Sequence, residues 1–318
     1  MKLSQGPLME ISNLKGNIFD IRRFSTHDGD GLRTTVFFKG CNLLCVWCQN
    51  PEGIPLKRMP MYLKNNCIHC KTCLKLSKNG GIYEEDGNIR LRRETEEDWD
   101  LIVYECPSGA IIMDSKTYTI NELVKEIEKD KIFFSRGGGV TLSGGEPLMQ
   151  GEFAVNLLKT LHERGINTAV ETALNVPEII MKKALPYLDV IFADIKIMNE
   201  DSHKKYVGAS NTLIKSNLAH ILTSKYKDKV IIRTPLIPNF TATEENLGKI
   251  AEFVSGLYPE IRYELLNYNP LAEAKYHLID QKYCFEDNPK LYTKEQMISF
   301  GNIVKTHGIK NLIMEMVM

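Results

Sequence analysis

Short apolar stretches alternate with amphipathic segments along most of the chain from Thr119 onward. Apolar, β-branched runs of a few residues predict buried strands, whereas apolar residues that recur every three or four positions predict helices. The strands predicted in this way are 36–38, 140–142, 169–170, 190–193, 230–232 and 263–266. Buried strands separated by helices are typical of a parallel sheet that is covered by helices.

The predicted helices have recognisable ends. Thr119 with Glu122, and Thr293 with Gln296, have the spacing of a capping box, in which each side chain binds the backbone N–H of the other residue. Gly165 predicts the end of a helix. The helices predicted between these signals pass through 119–130, 153–161, 214–222 and 247–254, with one more entered through Pro177 and a last one that ends near Gly308.

The predicted elements make about six βα units, which is too few for a closed eight-stranded barrel. The pattern therefore predicts an α/β fold with a partial (β/α)6 barrel, and a doubly wound sheet, which has the same periodicity, is the alternative. The pattern breaks between Pro51 and about Lys116, where four cysteines occur without sustained periodicity. Residues 57–116 are therefore predicted to form a small inserted domain, and residues 1–56 and 117–318 the main domain.

The composition narrows the class of protein. A chain of 318 residues with 43% hydrophobic and 25% charged residues has enough apolar material for a folded core. Its 40 Lys and Arg balance its 40 Asp and Glu, so no attraction to nucleic acid or to an anionic membrane is expected. No apolar run is long enough to cross a bilayer, and the N-terminus lacks the apolar core of a signal peptide. A cytoplasmic location is therefore expected.

Three of the eight cysteines lie in one short loop, KGCNLLCVWCQNP, which follows the strand 36–38. Cys41, Cys45 and Cys48 have the spacing C-x3-C-x2-C. Thiolates suit zinc or iron–sulfur clusters, but a structural zinc site fills four positions. Three thiolates on a cubane cluster leave one iron open to a substrate or cofactor. A zinc knuckle, or a set of buried free thiols, is the alternative interpretation.

This loop, with Trp47 before its last cysteine, resembles the signature of the radical S-adenosylmethionine enzymes. The resemblance implies a 4Fe–4S cluster that is held by the three cysteines, binds S-adenosylmethionine at its open iron and, once reduced, releases a 5′-deoxyadenosyl radical. It also implies a partial βα barrel with the site at the carboxyl ends of the strands. Ser143–Pro147, SGGEP, resembles the GGEP motif of the family, so Gly144, Gly145 and Glu146 are expected to contact the amino group of the methionine moiety.

Four further segments indicate one branch of that family. FSTHDGDGLRTT, which includes His27, Asp28 and Gly29, resembles a segment of the activating enzymes of glycyl radical enzymes, although Asp30 stands where those enzymes usually have proline. The other three segments are Gly137–Gln150, Asp194–Lys196 and Tyr206–Asn211. The resemblance covers nearly the whole chain and implies that the radical removes a hydrogen from a glycine of a partner glycyl radical enzyme.

The same resemblance assigns further residues to the cofactor site. Arg233 is expected to bind a carboxylate of the cofactor, and Trp47 to pack beside its adenine. Asp194 and Lys196 lie two residues apart and would share one face of a strand. Lys196 joins the three cysteines as a predicted catalytic residue, and an ordinary ion pair with Asp194 is the alternative. Glu171, with Asp194 opposite, is expected to help bind a monovalent cation.

Four cysteines of the predicted insert resemble those of a bacterial ferredoxin that is reduced from two clusters to one. They are Cys67, Cys70, Cys73 and Cys106. The resemblance implies a second 4Fe–4S cluster with an electron-transfer or structural role, and zinc is the alternative. Cys284 stands alone, and Asn269 replaces a histidine that is frequent in the branch, so neither is assigned a role.

The sequence thus predicts an oxidoreductase, an activating enzyme of a glycyl radical enzyme, that works anaerobically with a flavodoxin or ferredoxin-type reductant. One alternative is a radical enzyme that modifies another peptide or a small molecule; the segment at His27 and the ferredoxin-type insert argue against it. The other alternative is a non-catalytic electron carrier that uses both clusters. That carrier would leave the three-cysteine loop and the GGEP motif unexplained.

Overall fold

The computed structural model describes residues 14–26, 28–135 and 137–314. The strands in these residues are β1 (Lys15–Ser25), β2 (Arg33–Phe38), β3 (Pro60–Tyr62), β4 (Ile82–Glu85), β5 (Asn88–Leu91), β6 (Ile111–Met113), β7 (Lys116–Thr119), β8 (Gly139–Gly144), β9 (Asn167–Thr172), β10 (Val190–Asp194), β11 (Val230–Pro235), β12 (Arg262–Leu266) and β13 (Asn311–Met314). The α-helices are α1 (Thr72–Leu76), α2 (Trp99–Tyr104), α3 (Ile120–Glu128), α4 (Gly151–Glu163), α5 (Glu178–Ala184), α6 (Glu200–Val207), α7 (Thr212–Leu222), α8 (Glu244–Leu257), α9 (Ala272–Leu278) and α10 (Lys294–Thr306).

Nine of these strands form one sheet in the order β13-β12-β11-β10-β9-β8-β2-β1-β7. The strands from β13 to β2 are parallel, and β1 and β7 complete one edge in antiparallel pairing. The prediction of a central parallel sheet in a mixed α/β fold is confirmed. Because the parallel strands follow chain order without a reversal, the doubly wound alternative is wrong.

Three strands of this sheet are not predicted by the hydrophobic pattern. β1 precedes the strand at Val36, which is therefore the second strand of the sheet and not the first. The side chains of β1 alternate between more and less exposed positions, so β1 lacks the continuous apolar run of a strand that is buried on both faces. β7 and β13 are four residues long and form the two edges of the sheet.

The sheet packs against its helices through one large apolar core. Leu142 on β8, Ile232 on β11 and Leu265 on β12 are completely buried. α3 contributes Leu123 and Ile127 from its buried face. Burial of each such side chain contributes about 1.5–3 kcal/mol, so the core fixes the strands whose ends carry the candidate site.

Both predicted capping boxes are present. Thr119 caps α3 together with Glu122, and Thr293 caps α10 together with Gln296. Gly165, just beyond the end of α4, has the left-handed φ of +70° that favours glycine after a helix. α6 is not predicted, since its sequence EDSHKKYV is mostly polar. The helices of the described residues include none that is both long and apolar enough to span a bilayer.

Between β2 and β7 the chain forms two small sheets, β3 with β6 and β4 with β5, together with α1 and α2. This part has a separate apolar core that includes Ile89, Trp99 and Ile111. At Lys116 the chain enters β7, which pairs with β1 in the main sheet. The break in periodicity therefore corresponds to a region of short strands and helices in place of one long connecting helix.

Candidate active site

Most of the predicted site residues lie at the carboxyl ends of neighbouring parallel strands. Gly144 ends β8, Asp194 ends β10, and the three-cysteine loop follows β2. The strand register pairs Phe38 with Gly144, and Asp194 with Arg233. Because these strand ends meet at one edge of the sheet, the fold brings together residues that are far apart in the chain.

The three-cysteine loop packs into an apolar cluster at this edge. Cys45 is only 9% exposed, and Cys41 and Cys48 are half-buried. The backbone N–H of Leu44 donates to the carbonyl of Val207 at 2.8 Å, at the end of α6. The loop is therefore held from one side by β2 and from the other by α6.

Burial makes the three thiols weak acids. It raises the pKa of Cys41 and of Cys48 to about 12, and it raises the pKa of Cys45 as well. The metal-free thiols are therefore neutral at physiological pH. Since iron binds the thiolate, assembly of a cluster at these cysteines would release protons. A buried group of soft sulfur donors fits an iron–sulfur cluster.

Gly144 and Gly145 bring the loop after β8 against the loop after β2. The backbone N–H of Gly145 donates to the carbonyl of Phe38, and that of Glu146 to the carbonyl of Gly40, both at 2.8 Å. A Cβ atom would lie 2.4 Å from Phe38 N at Gly144, and 2.4 Å from Gly40 O at Gly145. Only glycine allows this approach, so the two glycines are required by contact between the loops themselves.

The carboxylate of Glu146 is buried beside these glycines, with the residue 1% exposed. It accepts hydrogen bonds from Thr172 Oγ1 at 2.8 Å, from the N–H of Ala173 at 2.9 Å and from the N–H of Leu148 at 3.2 Å. Burial raises the pKa of Glu146 to about 7, although these hydrogen bonds favour the ionised form. A nearby ammonium group would stabilise the carboxylate, which is consistent with the predicted contact to a methionine amino group.

Arg233 lies between two carboxylates, of which only Glu171 was predicted as a site residue. Its Nη1 is 2.5 Å from Glu171 Oε1, and its Nε is 2.5 Å from Glu264 Oε2. The guanidinium also lies 3.6 Å from the centre of the Phe192 ring. Burial would lower the pKa of Arg233, but the two glutamates raise it overall. Sequence reasoning missed Glu264, and the signal that could have found it was an acidic residue within the strand RYELL.

Asp194 and Lys196 form an ion pair, with 2.7 Å between Asp194 Oδ2 and Lys196 Nζ. β10 ends at Asp194, and Lys196 follows it. Burial would lower the pKa of Lys196, but Asp194 and the nearby Cys45 raise it overall. The ammonium therefore lies where it favours the thiolate form of the cysteine loop. Its catalytic role stays a prediction.

Three other residues from the sequence lie around the cysteine loop. Trp47 is 3% exposed and packs against Phe240, with 5.1 Å between ring centres. Cys284 is half-buried against the same cluster, where burial raises its pKa to about 11. The carbonyl of Asn269 accepts a hydrogen bond from the Gln49 side chain at 3.1 Å. Since protein already covers most of the Trp47 ring, adenine packing by this residue stays a prediction.

The segment HDGDGLRT is held by Arg33, whose structural role was not predicted. Arg33 is 1% exposed and donates to Thr141 Oγ1 at 2.7 Å, to Val140 O at 2.8 Å and to Asn167 Oδ1 at 2.9 Å. Burial lowers its pKa to about 10. His27, which belongs to the same segment, lies outside the described residues.

The four cysteines of the predicted insert line one small cavity. They are Cys67, Cys70, Cys73 and Cys106. Cys70 is exposed and the other three are half-buried. Four thiols around one cavity fit a fully ligated cluster. Within the residues that the structure describes, no three His, Cys, Asp or Glu side chains converge as ligands of a single metal ion.

Known proteins resemble the chain along most of its length. Residues 27–215 match the model of a family described as a 4Fe-4S single cluster domain. The chain is 34% identical to the indoleacetate decarboxylase activating enzyme of Tractidigestivibacter scatoligenes, over 96% of this chain and 99% of that protein. It is 38% identical to the isethionate sulfite-lyase activating enzyme of Oleidesulfovibrio alaskensis, over 86% of this chain and 90% of that protein.

A solved structure shares the fold. The radical SAM methyltransferase from Sphaerobacter thermophilus superposes with a TM-score of 0.51, over 99% of this chain and 82% of that chain, at 13% identity. At this identity the likeness concerns the fold alone, a mixed α/β fold around a central parallel sheet.

Proposed function

Since the chain belongs to the family of glycyl radical enzyme activating enzymes, we propose that Cys41, Cys45 and Cys48 hold the cluster with which it activates its partner. The family resemblance seen in the sequence is confirmed, and the protein is an oxidoreductase that uses an iron–sulfur cluster and S-adenosylmethionine to act on a glycyl radical enzyme. When bound, a reduced cluster and S-adenosylmethionine would supply the radical chemistry that removes a hydrogen atom from a glycine of that partner.

The observation that carries the proposal is the junction between the loops after β2 and β8. Three thiols lie in the first loop, and the second loop is hydrogen-bonded to it through Gly145 and Glu146. Three protein ligands leave one iron of a cubane cluster free. The second loop would supply glycines and a buried carboxylate to a cofactor bound at that iron.

Other residues of this edge are proposed to position the cofactor. Gly144, Gly145 and Glu146 would receive its amino group, and Trp47 would contact its adenine. Arg233 would bind its carboxylate with two parallel hydrogen bonds. Because the Arg233 guanidinium already pairs with two glutamates, the carboxylate of the cofactor would have to replace one of them.

Glu171 and Asp194 are proposed to bind a monovalent cation. Glu171 lies on β9 and Asp194 at the end of β10, and the two strands are hydrogen-bonded neighbours, which supports a shared cation. Lys196 is proposed as the further catalytic residue, because its ammonium group lies near the thiols of Cys41 and Cys45. There it would stabilise the thiolates that ligate the cluster.

The rest of the proposal concerns the architecture. The parallel strands would curve into a partial (β/α)6 barrel made of residues 1–56 and 117–318, with residues 57–116 inserted as a ferredoxin-like domain. The separate core of that region supports the insert. The cavity lined by its four cysteines supports a second 4Fe–4S cluster, held by Cys67, Cys70, Cys73 and Cys106. A flavodoxin or ferredoxin-type protein would be the reductant, and the cytoplasm the location.

Anaerobic reconstitution tests the function. The protein with reconstituted clusters, a chemical reductant, S-adenosylmethionine and a candidate partner should yield 5′-deoxyadenosine and the doublet of a glycine radical in electron paramagnetic resonance. Cys41→Ala should abolish both signals, because the reactive cluster loses one of three thiolates. Cys284→Ala removes a half-buried thiol outside the loop and should retain both.

Two results would contradict the assignment of the three cysteines. One is a wild-type protein whose spectrum shows no cluster at the loop. The other is a Cys41→Ala protein that still forms 5′-deoxyadenosine at the wild-type rate.

A further inference from the structure

Residues 64–78 of the proposed insert form a basic surface segment. The sequence KNNCIHCKTCLKLSK contains four lysines and no aspartate or glutamate, in a chain whose formal charges sum to zero. Lys64, Lys71, Lys75 and Lys78 are all exposed, and together they are called the lysine face. A local excess of one charge creates a potential that attracts molecules of the opposite charge.

Neighbouring carboxylates neutralise only part of this charge. Glu84 pairs with Lys71, with 2.8 Å between Oε2 and Nζ. In the described part of the chain, the ammonium groups of the other three lysines have no carboxylate partner. Glu97 also lies here, where its carboxylate accepts the backbone N–H groups of Lys78 and Gly81 at 3.1 and 2.9 Å and adds a second negative charge. Four lysines beside these two carboxylates leave the lysine face with a net positive charge for an external partner.

The segment that carries the lysine face includes the exposed thiol of the insert, Cys70, directly before Lys71. His69 and Lys71, on either side of it, have φ values of 54° and 59°, so the backbone turns at both of its neighbours. Ile68, next to this turn, is 64% exposed. An exposed apolar side chain in a segment of exposed polar and charged residues is typical of a protein interface, where a central apolar contact has a polar rim.

The main site offers less access to a protein partner that must approach an iron ligand. Cys45 is buried, and Cys41 and Cys48 are half-buried. Electron transfer between proteins weakens steeply with distance, so a donor gains most by docking where a ligand reaches the surface. Among the seven proposed cluster ligands, Cys70 is the one that is exposed at the surface.

We propose that the lysine face docks an acidic one-electron carrier protein, which is oxidised by one electron as the cluster of the insert is reduced by one. This proposal rests on the proposed function, because it assumes the second cluster. Complementary charge would steer the carrier to the insert and set its orientation, and Ile68 would provide apolar contact at the centre of the interface.

A binding measurement tests the docking surface directly. The probe is an oxidised flavodoxin, an acidic flavoprotein, titrated into the anaerobic holoprotein at low and at high salt. The variant Lys64→Gln/Lys75→Gln/Lys78→Gln should bind the flavodoxin about tenfold more weakly at low salt, and its affinity should depend much less on salt. The substituted side chains are exposed, so the fold should not change.

The matched control changes the same net charge elsewhere. Lys183, Lys294 and Lys305 are exposed lysines on α5 and α10. The triple variant Lys183→Gln/Lys294→Gln/Lys305→Gln should bind the flavodoxin within about twofold of wild type. Equal loss of affinity in both triple variants would show an effect of net charge only and would overturn the proposal. The proposal would also be overturned if single-stranded nucleic acid bound the lysine face at a lower concentration than flavodoxin does.

A second readout separates this proposal from the proposed function. With dithionite as reductant no carrier is needed, so the lysine-face variant should cleave S-adenosylmethionine at the wild-type rate. If wild-type protein fails to cleave it with dithionite, the proposed function fails. If cleavage succeeds but the lysine-face variant binds flavodoxin as wild type does, only the docking surface is wrong.

Discussion

At the scale of single residues, the clearest link between the two parts of the molecule is a buried ion pair. Lys39, two residues before Cys41, is completely buried, and its Nζ lies 2.5 Å from Asp114 Oδ2. The same ammonium donates to the carbonyl of Glu52 at 2.7 Å. Asp114 also accepts the N–H of Met59 at 3.1 Å. The pair thus joins the start of the cysteine loop to both ends of the proposed insert.

We predict that Lys39→Met destabilises the protein by about 3–5 kcal/mol, because it leaves Asp114 as a buried, uncompensated charge. The measurement is the free energy of unfolding in urea under anaerobic conditions. Lys129→Met is the matched control: it breaks the exposed pair with Glu126 and should cost no more than about 1 kcal/mol. A cost for Lys39→Met as small as that of the control would contradict the prediction.

Contacts between distant residues are also where the sequence predicted least. Arg233 was predicted for its chemistry, yet its partner Glu264 lies on the next strand, opposite it in the register. Asp114 was likewise not predicted as the partner of Lys39. Pairing of this kind depends on which strands are neighbours and in what register, and hydrophobic periodicity does not determine either.

At the scale of elements, prediction worked where the cause is local. The strands at 140–142 and 190–193 were found because strands buried on both faces need continuous apolar runs. The capping boxes of α3 and α10 were found because the bonded partners are three residues apart. β1, β7 and β13 were missed, since strands at or near a sheet edge are partly exposed and carry polar residues.

Helix α6, which holds the cysteine loop, contains a histidine that is neutral in the folded protein. His203 is 1% exposed, and its Nδ1 lies 2.6 Å from the carbonyl of Ala209. Burial lowers the pKa of His203 below its ordinary value of 6.5. Just below pH 6.5, this imidazole therefore binds a proton more often in the unfolded chain than in the folded protein. The free energy of unfolding falls as the pH is lowered through the folded pKa of His203.

We predict that His203→Gln reduces the loss of stability on acidification. Urea unfolding at pH values above and below 6.5 should show a smaller decrease for the variant than for wild type, because the variant has no buried imidazole to protonate. His277→Gln, at an exposed position on α9, should keep the wild-type decrease. A stability of His203→Gln that depends on pH as strongly as that of wild type would contradict the prediction.

At the scale of the whole molecule, the segment around α9 contacts both the cysteine loop and the proposed insert. Lys275 donates to Asn50 Oδ1 at 2.6 Å and to Glu52 Oε1 at 2.7 Å, just after the loop. Arg93, in the insert, pairs with Asp280 just after α9, at 2.8 Å. A large cleft lies between these contacts and reaches Cys45. The two proposed centres are thus held in a defined relation by a segment that was not predicted as an element.

Removal of one cysteine of the insert should remove one proposed cluster and leave the other in place. We predict that Cys106→Ser binds about half the iron and acid-labile sulfide of wild type after reconstitution, because only the three-cysteine cluster remains. Cleavage of S-adenosylmethionine with dithionite should persist. Cys284→Ser is the control and should bind the full amount. An unchanged iron content in Cys106→Ser would refute the second cluster. So would a wild-type protein that holds zinc at the four cysteines of the insert.

The exposure of Cys70 has a cost as well as a use. A surface that lets a carrier approach the proposed iron ligand Cys70 also lets dioxygen and peroxide approach it, whereas Cys45 is shielded by the protein around it. Damage after a brief leak of air should therefore begin in the insert and spare the inner centre for longer. Such a sample would still cleave S-adenosylmethionine with dithionite after its reduction by the carrier protein had failed.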